Sequence, residues 1–299
     1  MAKRAASRRR QAEEDSPLAQ TRKMMRRFGL RARKGLGQHF LIDGEVLGLV
    51  TSAAELKPDD IVLEIGPGLG ILTGELAEQA GWVITIELDG KLATILKETL
   101  ASFDNVTIVN EDILRIEPAA LLKEQKAADS PSSYKVVANL PYYITSAVLR
   151  HFLEASVKPQ IMVVMVQKEV AEAIVAEPGQ MSLLSVSVQF YGKPEIISYI
   201  PARCFYPAPE VDSAILRVEV YPQPAVQVDE KSFFEVVRAG FGVPRKQIAN
   251  SLTQGLGVSK AEVLALLGKA GIVPQRRAET LTLGEWARLW QVVKGESAC

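Results

Sequence analysis

The chain has 299 residues, 47% hydrophobic and 23% charged, with no net formal charge at neutral pH. That composition fits a globular protein of one large and one small domain, and no apolar run reaches the ~18 residues that a membrane span needs. Two cysteines (Cys204, Cys299) and two histidines (His39, His151) are too few for a disulfide framework or a zinc site, so the expected chemistry uses an organic cofactor or none, and no metal.

The neutral total hides an asymmetry. Residues 1–34 hold twelve Lys or Arg against Glu13, Glu14 and Asp15, about +9, so the remainder carries about −9. Such an arm suits a polyanionic partner. It reads as a basic, disordered segment over 1–34. Its start, MAKRAASRRR, lacks the apolar core of a secretory signal, and a cytoplasmic location is expected. An Arg-rich organelle transit peptide is the alternative, and the acidic cluster counts against it.

Beyond Lys34 short β-branched runs alternate with helical patterns. Ile61–Ile65, Val83–Ile86, Val106–Val109, Lys135–Ala138 and Ile161–Val166 predict strands; Leu72–Gln79 and Lys91–Ala101 predict helices. That alternation predicts an α/β domain, a doubly wound and mostly parallel sheet covered on both faces. The polar stretch Lys126–Ser133 predicts a surface loop. Ser185–Tyr191, Glu195–Ile200 and Ser213–Tyr221 predict further strands, antiparallel at the end of the sheet. Pro222-Gln-Pro224 breaks the pattern. After it Lys231–Gly240, Lys246–Gln254, Lys260–Ala270 and Leu283–Val293 predict helices, so the domains are expected at 35–222 and, all-helical, at 223–299.

The first predicted strand runs into Gly66-Pro67-Gly68-Leu69-Gly70 and then a helix. Glycines permit the tight turn and let a ligand approach the main chain, and in open α/β sheets ligands sit beyond the carboxyl ends of the strands. Ile71 stands where a dinucleotide fingerprint has its third glycine, which argues against a pyrophosphate cradle. S-adenosylmethionine is the nucleoside cofactor without phosphates, and S-adenosylhomocysteine would be its product. Glu87 ends the second strand, where a carboxylate accepts from both ribose hydroxyls. Asp112 follows the third, where a short acid accepts from an adenine amine. Three such features at three successive strand ends predict a Rossmann-like, class I methyltransferase sheet.

The fourth strand ends in Asn139-Leu140-Pro141-Tyr142. An adenine amine is a poor nucleophile because its lone pair is delocalised into the ring. Two acceptors aimed at its hydrogens draw the nitrogen toward tetrahedral geometry; the Asn139 oxygen and a carbonyl of Leu140 or Pro141 are the candidates. Pro141 pre-places them, and Tyr142 stacks on the base. Phe205, in Phe205-Tyr206-Pro207-Ala208-Pro209, is the candidate for a second aromatic wall. A base held in structured RNA must leave its stack to reach such a slot.

The stretches KGLGQHFL (34–41), EIGPGLGILT (64–73), NEDIL (110–114), NLPYYIT (139–145), QKEVAEAI (167–174), FYPAPEVDSA (205–214) and FGVPRKQIANSL (241–252) resemble the ribosomal RNA adenine N6,N6-dimethyltransferases, within them the bacterial small-subunit branch. The resemblance covers nearly everything from Lys34 to Leu289. It implies that Gln38, His39 and Leu41 cover the cofactor, alongside Gly66, Gly68, Gly70, Glu87, Leu88, Asp112, Ile113 and Asn139. It also implies a monomer acting on two adjacent adenosines near the 3′ end of small-subunit ribosomal RNA. Each receives two methyl groups in an assembling small subunit, and the helical domain helps docking. Three features depart from the pattern: His39 stands where many relatives have Asn, the segment 177–183 is short, and Pro244 replaces a basic residue. The basic arm is no family hallmark either; it is expected to add non-specific RNA affinity. The rival readings are a large-subunit enzyme conferring antibiotic resistance, a DNA adenine or small-molecule methyltransferase, and a non-catalytic assembly factor on the same fold.

Overall fold

The computed structural model describes residues 16–30, 33, 37–125, 133–243 and 245–295. Most of the expected loop at 126–133, the first fifteen residues of the arm, Lys34, Pro244 and Cys299 lie outside them. Two compact units divide the chain. One reaches to Ala171 and adds Glu195–Val220; the other holds Glu172–Pro194 and everything from Tyr221 on.

The first unit is built on a seven-stranded sheet. Its strands are β2 (Ile61–Ile65), β3 (Trp82–Ile86), β4 (Val106–Val109), β5 (Lys135–Asn139), β6 (Ile161–Gln167), β7 (Gly192–Ile200) and β9 (Ser213–Val220), in the spatial order β4-β3-β2-β5-β6-β9-β7. Strands β2 to β6 pair in parallel, whereas β9 runs antiparallel to β6, with Gln167 opposite Ser213. Val62, Leu63, Val83, Ile84, Val136, Val137 and Val163 are fully buried. Burial on both faces explains why these strands read as continuous apolar runs. Each such side chain stabilises the fold by about 1.5–3 kcal/mol. The order reverses between β2 and β5, which opens a crevice at their carboxyl ends. A two-stranded ribbon, β1 (Phe40–Leu41) with β8 (Phe205–Tyr206), pairs Phe40 with Tyr206 and Leu41 with Phe205.

Three expectations need correction. Ser185–Tyr191 is not a strand but lies in the helix Leu183–Tyr191. Its Ser-Val-Ser-Val alternation looks like period two, but a reciprocal cap between Ser182 and Ser185 nucleates a helix instead. The arm is not wholly unstructured: Pro17–Arg27 is a helix with Ser16 as its N-cap. Met24, Met25 and Leu30 pack on Phe40, Leu69 and Leu92, Arg27 pairs with Glu98, and Arg33 meets Asp89 at 3.0 Å. The assignment of 35–222 to one domain also changes, because 172–194 belongs to the helical unit. There Phe190 stacks on Phe233 at 5.0 Å and meets Phe234 edge-on at 5.1 Å, and this aromatic cluster ties the segment to the helix Glu230–Phe241.

Candidate active site at the carboxyl edge of the sheet

Glycine conformation shapes the loop after β2. Gly66, Gly68 and Gly70 have φ of 66°, 60° and 80°, a region costly for residues with a Cβ. The Gly66 N–H donates to the Ile86 carbonyl at 2.9 Å, which locks the loop onto β3. A Cβ on Gly68 would stand 3.0 Å from the Phe40 ring. The loop encloses a cavity of about 350 Å³, within the range of small-molecule sites.

Gln38, His39, Leu41, Gly66, Gly68, Glu87, Leu88, Asp112, Ile113, Asn139, Leu140, Pro141 and Tyr142 all line this cavity. Elements far apart in sequence thus converge there. Gly70 and Phe205 do not line it. Gly70 is the N-cap of the helix Ile71–Ala77, and a Cβ there would lie 2.9 Å from Leu96 and 3.3 Å from Leu100. Its requirement is close helix packing. Phe205 is 2% exposed and packed in the core with Leu41, Cys204 and Ile215. The apolar ribbon contact with Leu41 draws it inward, and it does not line the cavity where the sequence reading expected a second wall. The ring beside Tyr142 is His39, near-parallel at 20° with centroids 5.9 Å apart.

Glu87 is 6% exposed. Burial pushes its carboxyl up, opposed by the N–H groups of Asp89, Gly68 and Leu88; that of Asp89 donates to Oε1 at 2.8 Å. Asn110, which sequence reasoning passed over, secures the turn by donating to the Glu87 carbonyl at 2.7 Å. Asp112 accepts from the Leu114 N–H at 3.0 Å and so caps a short turn at the cavity rim.

The Asn139 amide is oriented by one bond: Nδ2 donates to the His39 carbonyl at 2.8 Å. With that end committed, the remaining polar atom is Oδ1, an acceptor. The His39 ring is held too. Nδ1 lies 2.7 Å from the Pro207 carbonyl; a carbonyl only accepts, so Nδ1 carries the proton. The Tyr142 hydroxyl lies 2.7 Å from Ser213 Oγ, which pins the ring. Burial raises the Tyr142 phenol above its ordinary value. It is neutral at physiological pH and offers a stacking face rather than a base.

Sequence reasoning also missed Glu64, which lines the cavity and is 1% exposed. Thr73 donates to its Oε2 at 2.7 Å. Burial pushes its carboxyl up to about 7, against the pull of the Thr73 and Thr85 hydroxyls, and the nearby Glu87 adds to the rise. A raised carboxyl favours the protonated fold. Its contribution to stability is full below about 4.5 and is lost as pH rises through about 7. Glu64→Gln is therefore expected to exceed the parent in stability at pH 8 by about 2–3 kcal/mol, with the gap closing toward pH 5. Urea unfolding at the two pH values checks this.

Among the described residues no cluster of three or more His, Cys, Asp or Glu could hold a metal ion, and no helix is long and apolar enough to cross a membrane.

Residues 29–294 match the family model described as ribosomal RNA adenine dimethylase. The chain is 54% identical to ribosomal RNA small subunit methyltransferase A of Dehalococcoides mccartyi, covering 96% of this chain and 100% of that one. It is 43% identical to the protein of that name from Streptococcus pneumoniae, over 92% and 97%. Among solved structures, the 23S rRNA methyltransferase ErmE is 31% identical with a TM-score of 0.66, covering 85% of this chain and 99% of that one. A dimethyladenosine transferase from Plasmodium falciparum has a TM-score of 0.70 at 23% identity, over 86% and 99%; at that identity the likeness concerns the fold.

Proposed function

Because this chain belongs to the ribosomal RNA adenine dimethylase family, we propose that it methylates the N6 amines of two adjacent adenosines near the 3′ end of small-subunit ribosomal RNA. The product is N6,N6-dimethyladenosine, made within an assembling small subunit by a monomeric enzyme. The small-subunit choice is supported by relatives of that name that align over nearly their whole length. The observation that carries the chemistry is the Asn139 amide. Its donor end is committed to the His39 carbonyl, and it ends the strand next to the one that runs into the glycine loop.

The cavity residues fit S-adenosylmethionine. Gly68 lets the backbone approach, with no room for a Cβ beside Phe40. Glu87 would present its buried carboxylate to the ribose hydroxyls. Leu88, Asp112 and Ile113, which line the cavity, would hold the adenine end, and Gln38, His39 and Leu41 would cover the cofactor from the N-terminal side. When bound, S-adenosylmethionine supplies an electrophilic methyl group on a sulfonium.

The residues of the chain do the rest. Asn139 Oδ1 and a backbone carbonyl at Leu140 or Pro141 accept hydrogen bonds from the target amine, two before the first methylation and one before the second, and so turn its lone pair out of the ring plane. The acceptors are in place before reaction, so little reorganisation is needed. Tyr142 holds the base by stacking, worth about 1–3 kcal/mol. No strong base is needed, because the amine loses its proton after attack, when it is acidic. The helical unit adds contacts to the ribosomal substrate, with exposed Arg245 and Lys246 ahead of the helix Ile248–Leu256 as candidates.

The test is methyl transfer from labelled S-adenosylmethionine to unmethylated small subunits, large-subunit RNA and DNA, offered separately, with products digested to nucleosides. N6,N6-dimethyladenosine from small subunits alone is expected. Label in large-subunit RNA would move the chain to the resistance branch. Cofactor binding without label anywhere would make it an assembly factor.

A further inference from the structure

The target-base pocket accounts for one nucleotide, but the rim beyond it carries a second aromatic and basic pair that the cavity does not use. Antiparallel pairing brings the start of β9 to the carboxyl end of β6, with Gln167 opposite Ser213. The next residue, Lys168, donates its N–H to the Asp212 carbonyl at 3.0 Å. Ser213, beside Asp212 in the chain, is the partner of the Tyr142 hydroxyl. Lys168 thus stands one step along the rim from the residue that pins the stacking tyrosine.

Edge strand β7 ends at the same rim. Along it Ile197 and Tyr199 face water, 37% and 49% exposed. The Lys168 ammonium lies over the Tyr199 ring, 5.2 Å from its centroid. Neither residue lines the cavity. A large half-exposed ring on an edge strand is a poor choice for solubility, and a cation held against it is what a stacked base with its phosphate would meet.

We propose that Tyr199 and Lys168 form a subsite for a nucleotide flanking the target adenosine, with Tyr199 stacking on its base and Lys168 neutralising a phosphate; this rests on the RNA substrate proposed above. The stacking is tolerant of base identity, since every base has a π-face. The subsite grips the strand next to the extruded adenosine and sets KM for RNA without taking part in methyl transfer.

The test compares Tyr199→Ala, Tyr199→Phe and Lys168→Ala with the parent for kcat, KM for unmethylated small subunits, and cofactor Kd. Tyr199→Ala is expected to raise KM about five- to hundredfold, with kcat and cofactor Kd essentially unchanged. Tyr199→Phe keeps the ring and should match the parent. Lys168→Ala should reduce the slope of log KM against log salt by about one. An unchanged KM in Tyr199→Ala overturns the subsite while leaving the proposed function standing. So does a parallel change in cofactor Kd, which would mark Tyr199 as structural. If the parent labels only large-subunit RNA, the substrate reading fails, and the same KM ratio on that RNA then decides the subsite.

Discussion

Asn139→Ala is expected to lower the rate of methyl transfer by about 10²–10³-fold, the usual cost of deleting one preorganised group aimed at a reacting atom. Single-turnover transfer to unmethylated small subunits reads the rate, and calorimetric titration reads cofactor affinity. Alanine removes both ends of the amide: the Oδ1 acceptor and the Nδ2–H that reaches the His39 carbonyl at 2.8 Å. Asn139→Asp separates the two. It keeps an acceptor but sets a carboxylate against the His39 carbonyl, so its rate should fall as well, through misplacement. Asn139 lines the cavity and is also a candidate cofactor contact. An equal loss of rate and cofactor affinity in Asn139→Ala would make that contact, or a structural role, its main contribution.

Gly70→Val is expected to destabilise the first unit by about 2–5 kcal/mol. At Gly70 φ is +80°, where a residue with a Cβ pays about 1–2 kcal/mol. The new Cβ would also lie 2.9 Å from Leu96 Cδ2 and 3.3 Å from Leu100 Cδ1. Leu96 is 0% and Leu100 6% exposed, so neither has space to retreat, and overpacking adds about 1–3 kcal/mol. A melting temperature lower by about 5–15 °C is the expected readout. Below the new transition, cofactor affinity should stay near that of the parent, because Gly70 faces the helix Gly90–Thr99 and not the cavity. A large loss of affinity with an unchanged melting temperature would return Gly70 to the binding loop.

Both predictions turn on how well single residues could be placed from sequence. Asn139 ends β5, Glu87 follows β3 directly, and Asp112 follows β4 after a short turn. Parallel strands buried on both faces end on one edge, so a residue just beyond a strand is placed by the strand itself. The glycine loop follows β2 and lies on that edge for the same reason. Strand position does not separate Gly68, which faces Phe40 and the cavity, from Gly70, which faces Leu96. Two residues apart in a turn, the glycines look in different directions, and only the packed helices show which.

Errors gathered where local patterns were ambiguous. Ser185–Tyr191 satisfies a two-residue period and is a helix because Ser182 and Ser185 cap it and because Phe190 meets Phe233. Phe205 is an aromatic beside prolines in either reading, and its pairing with Leu41, more than 160 positions away, takes it into the core. The arm counted as charge alone, yet Met24 and Met25 give the helix Pro17–Arg27 an apolar face to bury.

By itself the sequence determined the parallel sheet, the edge on which the site lies and the strand-end residues Glu87 and Asn139, because periodicity and turn chemistry are local properties. Tertiary structure alone decided that His39 stands beside Tyr142, that Glu64 is a buried acid at the cavity, and that the His39 carbonyl orients the Asn139 amide. These depend on contacts between segments distant in the chain, whose geometry is fixed only when the apolar faces that carry them are packed.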